Sequence, residues 1–354
     1  MKYRLGDLAQ IKYGKDHKKL NKGSIPVYGT GGMMRRGDNY LFDGESVLIP
    51  RKGSLNNVMY VKEKFWTVDT MFWTRVNTDI VLPKYLYYYL SKIDLESLNV
   101  GSAVPSLTTK ILNELILDIP ELGFQREVIR KIEPIEKKVT LNNQINDNLT
   151  SLLDCIFNNF YQYANNELST KFETIAEIGS SNRIFAKEYK NVGIPFLRGK
   201  EISLLSQGVM PTDTLFISSE RYQELKNVPN ERDILITSVG TIGNIYQVEK
   251  FRLPFYYKDG NVIRITPKKG FENYIYLWLN SKLGKEAIVA STIGSTQKAL
   301  TISAIKKFEL LIPNSHKLEK FNDVVGPIIN LIQQNHKESE DLQEVKSTLL
   351  KRYF

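Results

Sequence analysis

Residues 101–161 and 294–354 are one segment written twice, at a constant offset of 193 and without a gap. Gly101/Gly294, Ser102/Ser295, Leu107/Leu300, Thr108/Thr301, Leu117/Leu310, Ile119/Ile312, Pro120/Pro313, Pro134/Pro327, Ile135/Ile328, Asn142/Asn335 and Leu149/Leu342 all match, with Pro105 among the exceptions. Such a repeat means two copies of one structural unit. Two halves built this way can pack about a pseudo-twofold axis, as a symmetric dimer does. Ahead of each copy the likeness is looser. Leu8-Ala9-Gln10-Ile11 resembles Ile175-Ala176-Glu177-Ile178, Ile25-Pro26-Val27 resembles Ile194-Pro195-Phe196, and Val47-Leu48-Ile49-Pro50 with Gly53 resembles Ile234-Leu235-Ile236-Thr237 with Gly240. The offset drifts from 167 through 169 to 187 before it reaches 193. Insertions therefore sit in loops of the globular parts, while the helical parts keep strict length: a fixed scaffold under variable surfaces.

The chain divides at composition shifts into 1–120, 121–167, 168–313 and 314–354. The first and third segments read as mixed strand and turn. Short β-type runs stand at Val47–Ile49 and Asn57–Val61, a helix begins at Leu82-Pro83, a second helix starts at Ser106-Leu107-Thr108, and Leu115–Pro120 closes as a strand. Glu121–Ile132 reads as a short helix, and Pro134 and Gly326-Pro327 are expected to break or restart the helices that hold them. Beyond them Ile135, Val139, Leu149, Leu153, Ile156 and Phe160, and in the second copy Ile328, Ile332, Leu342, Leu349 and Tyr353, fall on one seven-residue register with Asn142 and Asn335 on its seam. The alternative is a plain amphipathic helix on a globular core. Matching asparagines favour two helices packed on each other, since a seam asparagine fixes register at a cost in stability. The connectivity makes them antiparallel. The expected fold class is α+β: two globular mixed α/β domains separated by two long antiparallel helices forming a coiled coil, pseudo-twofold symmetric. A helix over residues 134–161 would span roughly 42 Å, enough to hold two DNA-binding modules about one duplex turn apart.

The formal charge of +9 is unevenly placed. Residues 1–120 carry 17 basic and 12 acidic side chains and residues 168–313 carry 20 and 14, whereas the two helical segments sum to −2 and 0. Basic surfaces attract polyphosphate, though so mild an excess also serves solubility. The single cysteine, Cys155, excludes an intramolecular disulfide and points to a reducing, cytoplasmic setting. Residues 1–19 hold no long apolar run, so no signal peptide is expected, and no stretch approaches a membrane span.

Catalytic constellations are missing. Gly29-Thr30-Gly31-Gly32 is followed by no helix and reads as a turn, not a nucleotide loop. No Asn-Pro-Pro-aromatic or Asp-Pro-Pro-aromatic run of an adenine methyltransferase occurs. Glu-x-Lys matches at Glu136, Glu188, Glu224 and Glu344 are too short a pattern to mark a nuclease, and His17, His316 and His336 lack metal-ligand spacing. Polar and basic loops beside glycine recur instead in both halves: Arg35, Arg36, Arg51, Lys52 and Ser54 in the first; Arg198, Lys200, Thr237, Ser238 and Thr241 in the second. The Gly-Ser turns add Ser102, Ser295, Gln297 and Lys298. Such side chains neutralise phosphate and read base edges, and glycine permits close backbone approach. Singly, each is more often a solvated turn. Tyr85, Tyr87, Tyr88 and Tyr89 could stack on bases, but at helical spacing core packing is the better reading. A non-catalytic protein-interaction scaffold remains the alternative to a DNA binder.

Taken in order, these segments resemble the DNA-specificity subunit of Type I restriction–modification systems. A Gly-x-Pro-x-x-Arg segment is matched by Gly193–Arg198, an Asp-Ile-Leu-Ile-Thr strand by Asp233–Thr237, a Gly-x-Ile-Gly turn by Gly240–Gly243, and a Gln-Arg pair opening the conserved helix by Gln125-Arg126. The Gly-Ser turn, helix and Ile-Pro ending are matched twice, at 101–120 and 294–313. Two places depart from the pattern. Gly29 stands where the first half would carry the arginine, and Leu318-Glu319 replaces Gln-Arg. The resemblance implies two target-recognition domains, each reading half of a bipartite double-stranded DNA site. It implies conserved helices that set the spacing and dock two methylation subunits, with ATP-driven restriction subunits joining the assembly. S-adenosylmethionine would belong to the methylation subunits, and this chain would hold no cofactor.

Overall fold

The computed structural model describes residues 1–101, 104–162, 168–292 and 298–354. It separates into one unit of Met1–Lys137 with Leu342–Phe354 and another of Lys138–Asp341. The first runs through β1 (Lys2–Arg4), α1 (Leu5–Leu8), β2 (Ala9–Tyr13), β3 (Ile25–Gly29), β4 (Gly32–Gly37), β5 (Phe42–Pro50), β6 (Met59–Thr67), β7 (Met71–Val76), α2 (Pro83–Leu90), α3 (Thr109–Glu114) and β8 (Ile116–Asp118) into the long helix α4 (Leu122–Gln162). Its main sheet has the order β2-β7-β5-β6-β3-β4. All neighbours are antiparallel except β3 and β6, which run parallel with Val27 opposite Trp66. β5 is central, and Val47, Leu48 and Ile49 are fully buried in it. The tyrosine run belongs to the core, with Tyr85 and Tyr88 buried beside Leu5, Val47, Val128 and Ile132. Thr108 caps α3 by accepting from Ile111 N–H.

The second unit follows with β9 (Leu168–Lys171), β10 (Ala176–Gly179), β11 (Ile194–Leu197), α5 (Gly199–Leu205), β12 (Leu215–Ile217), α6 (Ser219–Gln223), β13 (Ile234–Thr237), β14 (Ile245–Gln247), β15 (Tyr256–Tyr257), β16 (Val262–Pro267), α7 (Glu272–Asn280), α8 (Lys282–Ala290), α9 (Ile302–Lys306), β17 (Glu309–Ile312) and the long helix α10 (Ser315–Tyr353). Its ladders repeat those of the first. β10-β16-β13-β14 copies β2-β7-β5-β6. The parallel pair returns as β11 and β15, with Phe196 opposite Tyr256. β17 pairs with β9 as β8 pairs with β1. The insertions behind the drifting offset lie chiefly between β11 and β13, where α5, β12 and α6 occupy the place of the short β3–β4 hairpin.

Neither proline breaks its helix. α4 and α10 continue through Pro134 and Pro327, against the sequence expectation. Proline deletes one backbone hydrogen bond, to the carbonyl four residues back. Both prolines are exposed, and so are Arg130 and Asp323, whose carbonyls are freed, so water can serve them. In the second unit the two helices pair antiparallel through a polar knot. Asn142 Nδ2 donates to Ser339 Oγ at 3.2 Å and Glu338 Oε2 at 2.8 Å, while Asn335 Nδ2 donates to Asn146 Oδ1 at 2.8 Å. Since 142/335 and 146/339 are repeat equivalents, the two contacts are the same contact made in reverse. Asn142 Oδ1 stays without a partner. Ile135, Val139, Leu149, Ile156, Ile328, Ile332, Leu342 and Leu349 are half-buried flanks of this stripe. Its most buried apolar members are Leu153 and Phe157 with Phe321, Val325 and Ile329 in the second unit, and Val128 and Ile132 in the first. In the first unit Glu136 receives Lys346 and Lys84, each at 2.7 Å.

Gln125 and its repeat equivalent Leu318 fasten their helices in different ways. The buried amide of Gln125 accepts from Leu82 N–H at 2.8 Å and donates to the carbonyls of Ile80 and Pro120, tying α4 to the first domain. At the equivalent point of α10, Leu318 is also buried and fills the site with apolar packing.

Candidate nucleic-acid interface

In both domains the loop after the central strand is stitched to the segment after the Gly-Ser turn. Leu107 N–H donates to Arg51 O at 2.9 Å, and Leu300 N–H donates to Ser238 O at 2.9 Å. Lys52 bridges Ser106 as Val239 bridges Ala299. Gly53 and Gly240 hold equivalent positions at φ 85° and 75°, a left-handed conformation that glycine adopts without strain. Ser102, Ser295 and Gln297 lie outside the described residues. Lys298 is exposed just before the second stitch.

In the first domain Arg51 stacks over Tyr13 at 5.2 Å and donates to Asp69 O at 3.2 Å, while Lys52 and Ser54 point into solvent. Asn57 Nδ2 donates to Thr30 O at 2.6 Å, which brings the Gly29–Gly32 turn beside this loop. Arg35 is committed to structure: its Nη2 donates to the carbonyls of His17 and Leu20 at 2.6 and 2.8 Å. Arg36 donates to Ser24 O. These bonds anchor the loop 14–24, whose exposed Lys15, Lys18, Lys19 and Lys22, with Lys12 beside it, form the densest run of cations in the domain. Sequence reasoning passed over this run, although its lysine density was visible.

In the second domain Thr237 and Ser238 are corrected from the surface to the interior, at 0% and 2% exposure. Thr237 Oγ1 donates to Thr241 O and accepts from Asn244 N–H, and Ser238 Oγ donates to Gly260 O. Both hydroxyls build the turn. Thr241 itself is exposed. Arg198, Lys200 and Thr241 share a cleft of about 430 Å³ with Gln207, Lys258 and Asn261. Arg198 grips Glu201, which is 1% exposed. Burial opposes the charge on Glu201, but the hydrogen bonds from Arg198 outweigh it and hold the carboxyl below its usual range. In the first domain a Cβ at Gly29 would stand 2.4 Å from Met34 Sδ of the hairpin, so a side chain there requires the exposed Met34 to swing aside.

Among the described residues no cluster of three or more His, Cys, Asp or Glu side chains is placed to hold a metal, and no helix is long and apolar enough to cross a membrane. The arrangement offers cations, amides and turn backbone: groups that bind a polyanion.

The chain is similar to a type I restriction enzyme specificity subunit of Haemophilus influenzae, 26% identical over 91% of this chain and 88% of that protein. It is 22% identical to the MjaIX type I restriction enzyme specificity subunit of Methanocaldococcus jannaschii, over 88% of this chain and 77% of that one. The crystal structure of the S subunit of a Type I restriction-modification system from M. genitalium superposes with a TM-score of 0.65 at 16% identity, covering 100% of this chain and 96% of that chain, a likeness of fold. Residues 1–151 and 169–344 match the Type I restriction modification DNA specificity domain, and the chain belongs to that family.

Proposed function

We propose that this chain is the non-catalytic, sequence-specific DNA-binding subunit of a Type I restriction–modification complex. Residues 1–120 and 168–313 act as target-recognition domains, each taking half of a bipartite duplex site, and 121–167 with 314–354 act as helical spacers. The observation that carries the reading is the family match across both repeats. The recurrence of one stitched, glycine-bearing turn in both basic domains supports it. Exposed Leu141, Leu152, Val324 and Leu331 on the helices suit docking of methylation subunits, which would bring S-adenosylmethionine. Restriction subunits would join the same assembly, and no cofactor belongs to this chain.

The test is methylation mapping and footprinting with the complete complex. Two short protected sites with a fixed gap are expected; a single continuous site would overturn the reading. Binding should weaken steeply as salt rises, since phosphate contacts release counterions. A flat salt response would instead favour a protein-interaction scaffold.

A further inference from the structure

Arg198 is the most obvious base reader in the second domain, and its geometry disqualifies it. Nε and Nη2 form a fork on Glu201, at 3.1 and 2.6 Å, and Nη2 also donates to Asp213 O at 3.1 Å. The backbone N–H of Arg198 closes on the same carboxylate at 2.8 Å. A two-bond contact with guanine needs one of the guanidinium's two-donor edges. Both edges include Nη2, and Nη2 is taken.

Three further residues line the same cleft, from two separate stretches of chain. Gln207 follows α5, and Lys258 and Asn261 flank the turn between β15 and β16. Their backbones are pinned. Lys258 N–H donates to Leu197 O, Asn261 O accepts from Ser238 N–H, and Gln207 N–H donates to Leu204 O. Their side-chain donors and acceptors have no partner among the described residues. Lys258 is half-buried where it lines the cleft. A donor-only group beside two amides, each both donor and acceptor, matches the acceptor edge of guanine and the mixed edge of adenine. The first domain lacks the set: Val68, bonded to Tyr28 O as Lys258 is to Leu197 O, stands in the lysine's place.

We propose that Gln207, Lys258 and Asn261 determine the base preference of the second half-site, while Arg198 is a positioning residue that holds the cleft wall through Glu201. This rests on the DNA-reading function proposed above. The test expresses full-length variants with their methylation subunits and maps the methylated motif across a genome. Gln207→Ala, Asn261→Ala and Lys258→Met should each relax discrimination about tenfold or more at one position of the second half-site, with the first half-site unchanged. Lys258→Met keeps the aliphatic stem, and thermal melting confirms that it folds. Arg198→Lys should keep the motif and lower methylation at all sites alike. Variants of the three residues that keep the wild-type second half-site, or an Arg198→Lys variant with altered preference at a single position, would overturn the proposal. Failure of the broader reading looks different: the wild-type complex itself would yield no bipartite motif.

Discussion

Glu249 shows how much of the second unit turns on single buried charges. Its side chain is 3% exposed, with Oε1 2.6 Å from His336 Nδ1 and Oε2 2.5 Å from Arg252 Nε. Arg252 continues to Glu340, so two residues of α10 are bound to the turn after β14. Removing one partner of such a set leaves a buried charge uncompensated. Glu249→Ala should cost about 3 kcal/mol, near the low end because Glu340 still faces Arg252, and thermal melting would register it. Acid should act on the same carboxylates. Burial resists ionisation of Glu249, Glu201 and Glu136, but hydrogen bonds from His336, Arg198 and Lys346 respectively prevail and hold each below the ordinary 4.5. A lowered carboxyl contributes fully above its unfolded value and loses that contribution as pH falls through its folded one. Asp233 and Glu340, raised by burial, work the other way. Asp154 is raised as well, but lowered carboxyls outnumber raised ones once Glu45, Glu188 and Glu338 are included, so the melting temperature should drop as pH falls below about 4.5, and Glu249→Gln should flatten that drop. A melting temperature indifferent to acid would contradict the assignment. None of this was legible in sequence, because Glu249 and His336 are 87 residues apart and only the fold brings them together.

Elements were easier to foresee where a long-range pattern backed the local one. The heptad stripe of α4 and α10 was visible because 3.5-residue spacing repeats over many turns, and the asparagines stood out against it. The proline breaks were a misreading, since a local rule was applied to helices of 41 and 39 residues that lose one bond each on a solvated face. The strand runs at Val47 and Val58 were seen in part. β5 and β6 are nine residues each because their polar outer positions still pair in the ladder. α5 was missed: it sits in an insertion with no counterpart in the first domain. The asparagine knot carries its own test. Asn142→Leu combined with Asn335→Leu removes the buried unpaired Oδ1 and should raise the melting temperature while loosening register, seen as faster amide exchange along α10. A lower melting temperature would mean that the knot stabilises the pair outright.

At the scale of the molecule, both long helices contribute to both units, since the unit boundaries fall inside them at Lys137/Lys138 and Asp341/Leu342. Changing the length of α4 should therefore change what the complex reads. Deleting four residues within 142–152 should shift the gap between methylated half-sites or abolish assembly, and an unchanged gap would refute the spacer role. The duplicated ladders were legible in sequence, because insertions moved the offset without disturbing strand order. The cleft was legible in part: Arg198, Lys200 and Thr241 stood beside glycine in the sequence, whereas Gln207, Lys258 and Asn261 belong to no motif and join them only through the fold. One consequence concerns the stretch between Leu197 and Ile234, whose two ends are fastened to neighbouring sheets. Of the three residues proposed to set base preference only Gln207 lies in it, so a graft confined to that stretch should alter one voice of the trio and leave Lys258 and Asn261 speaking from the frame.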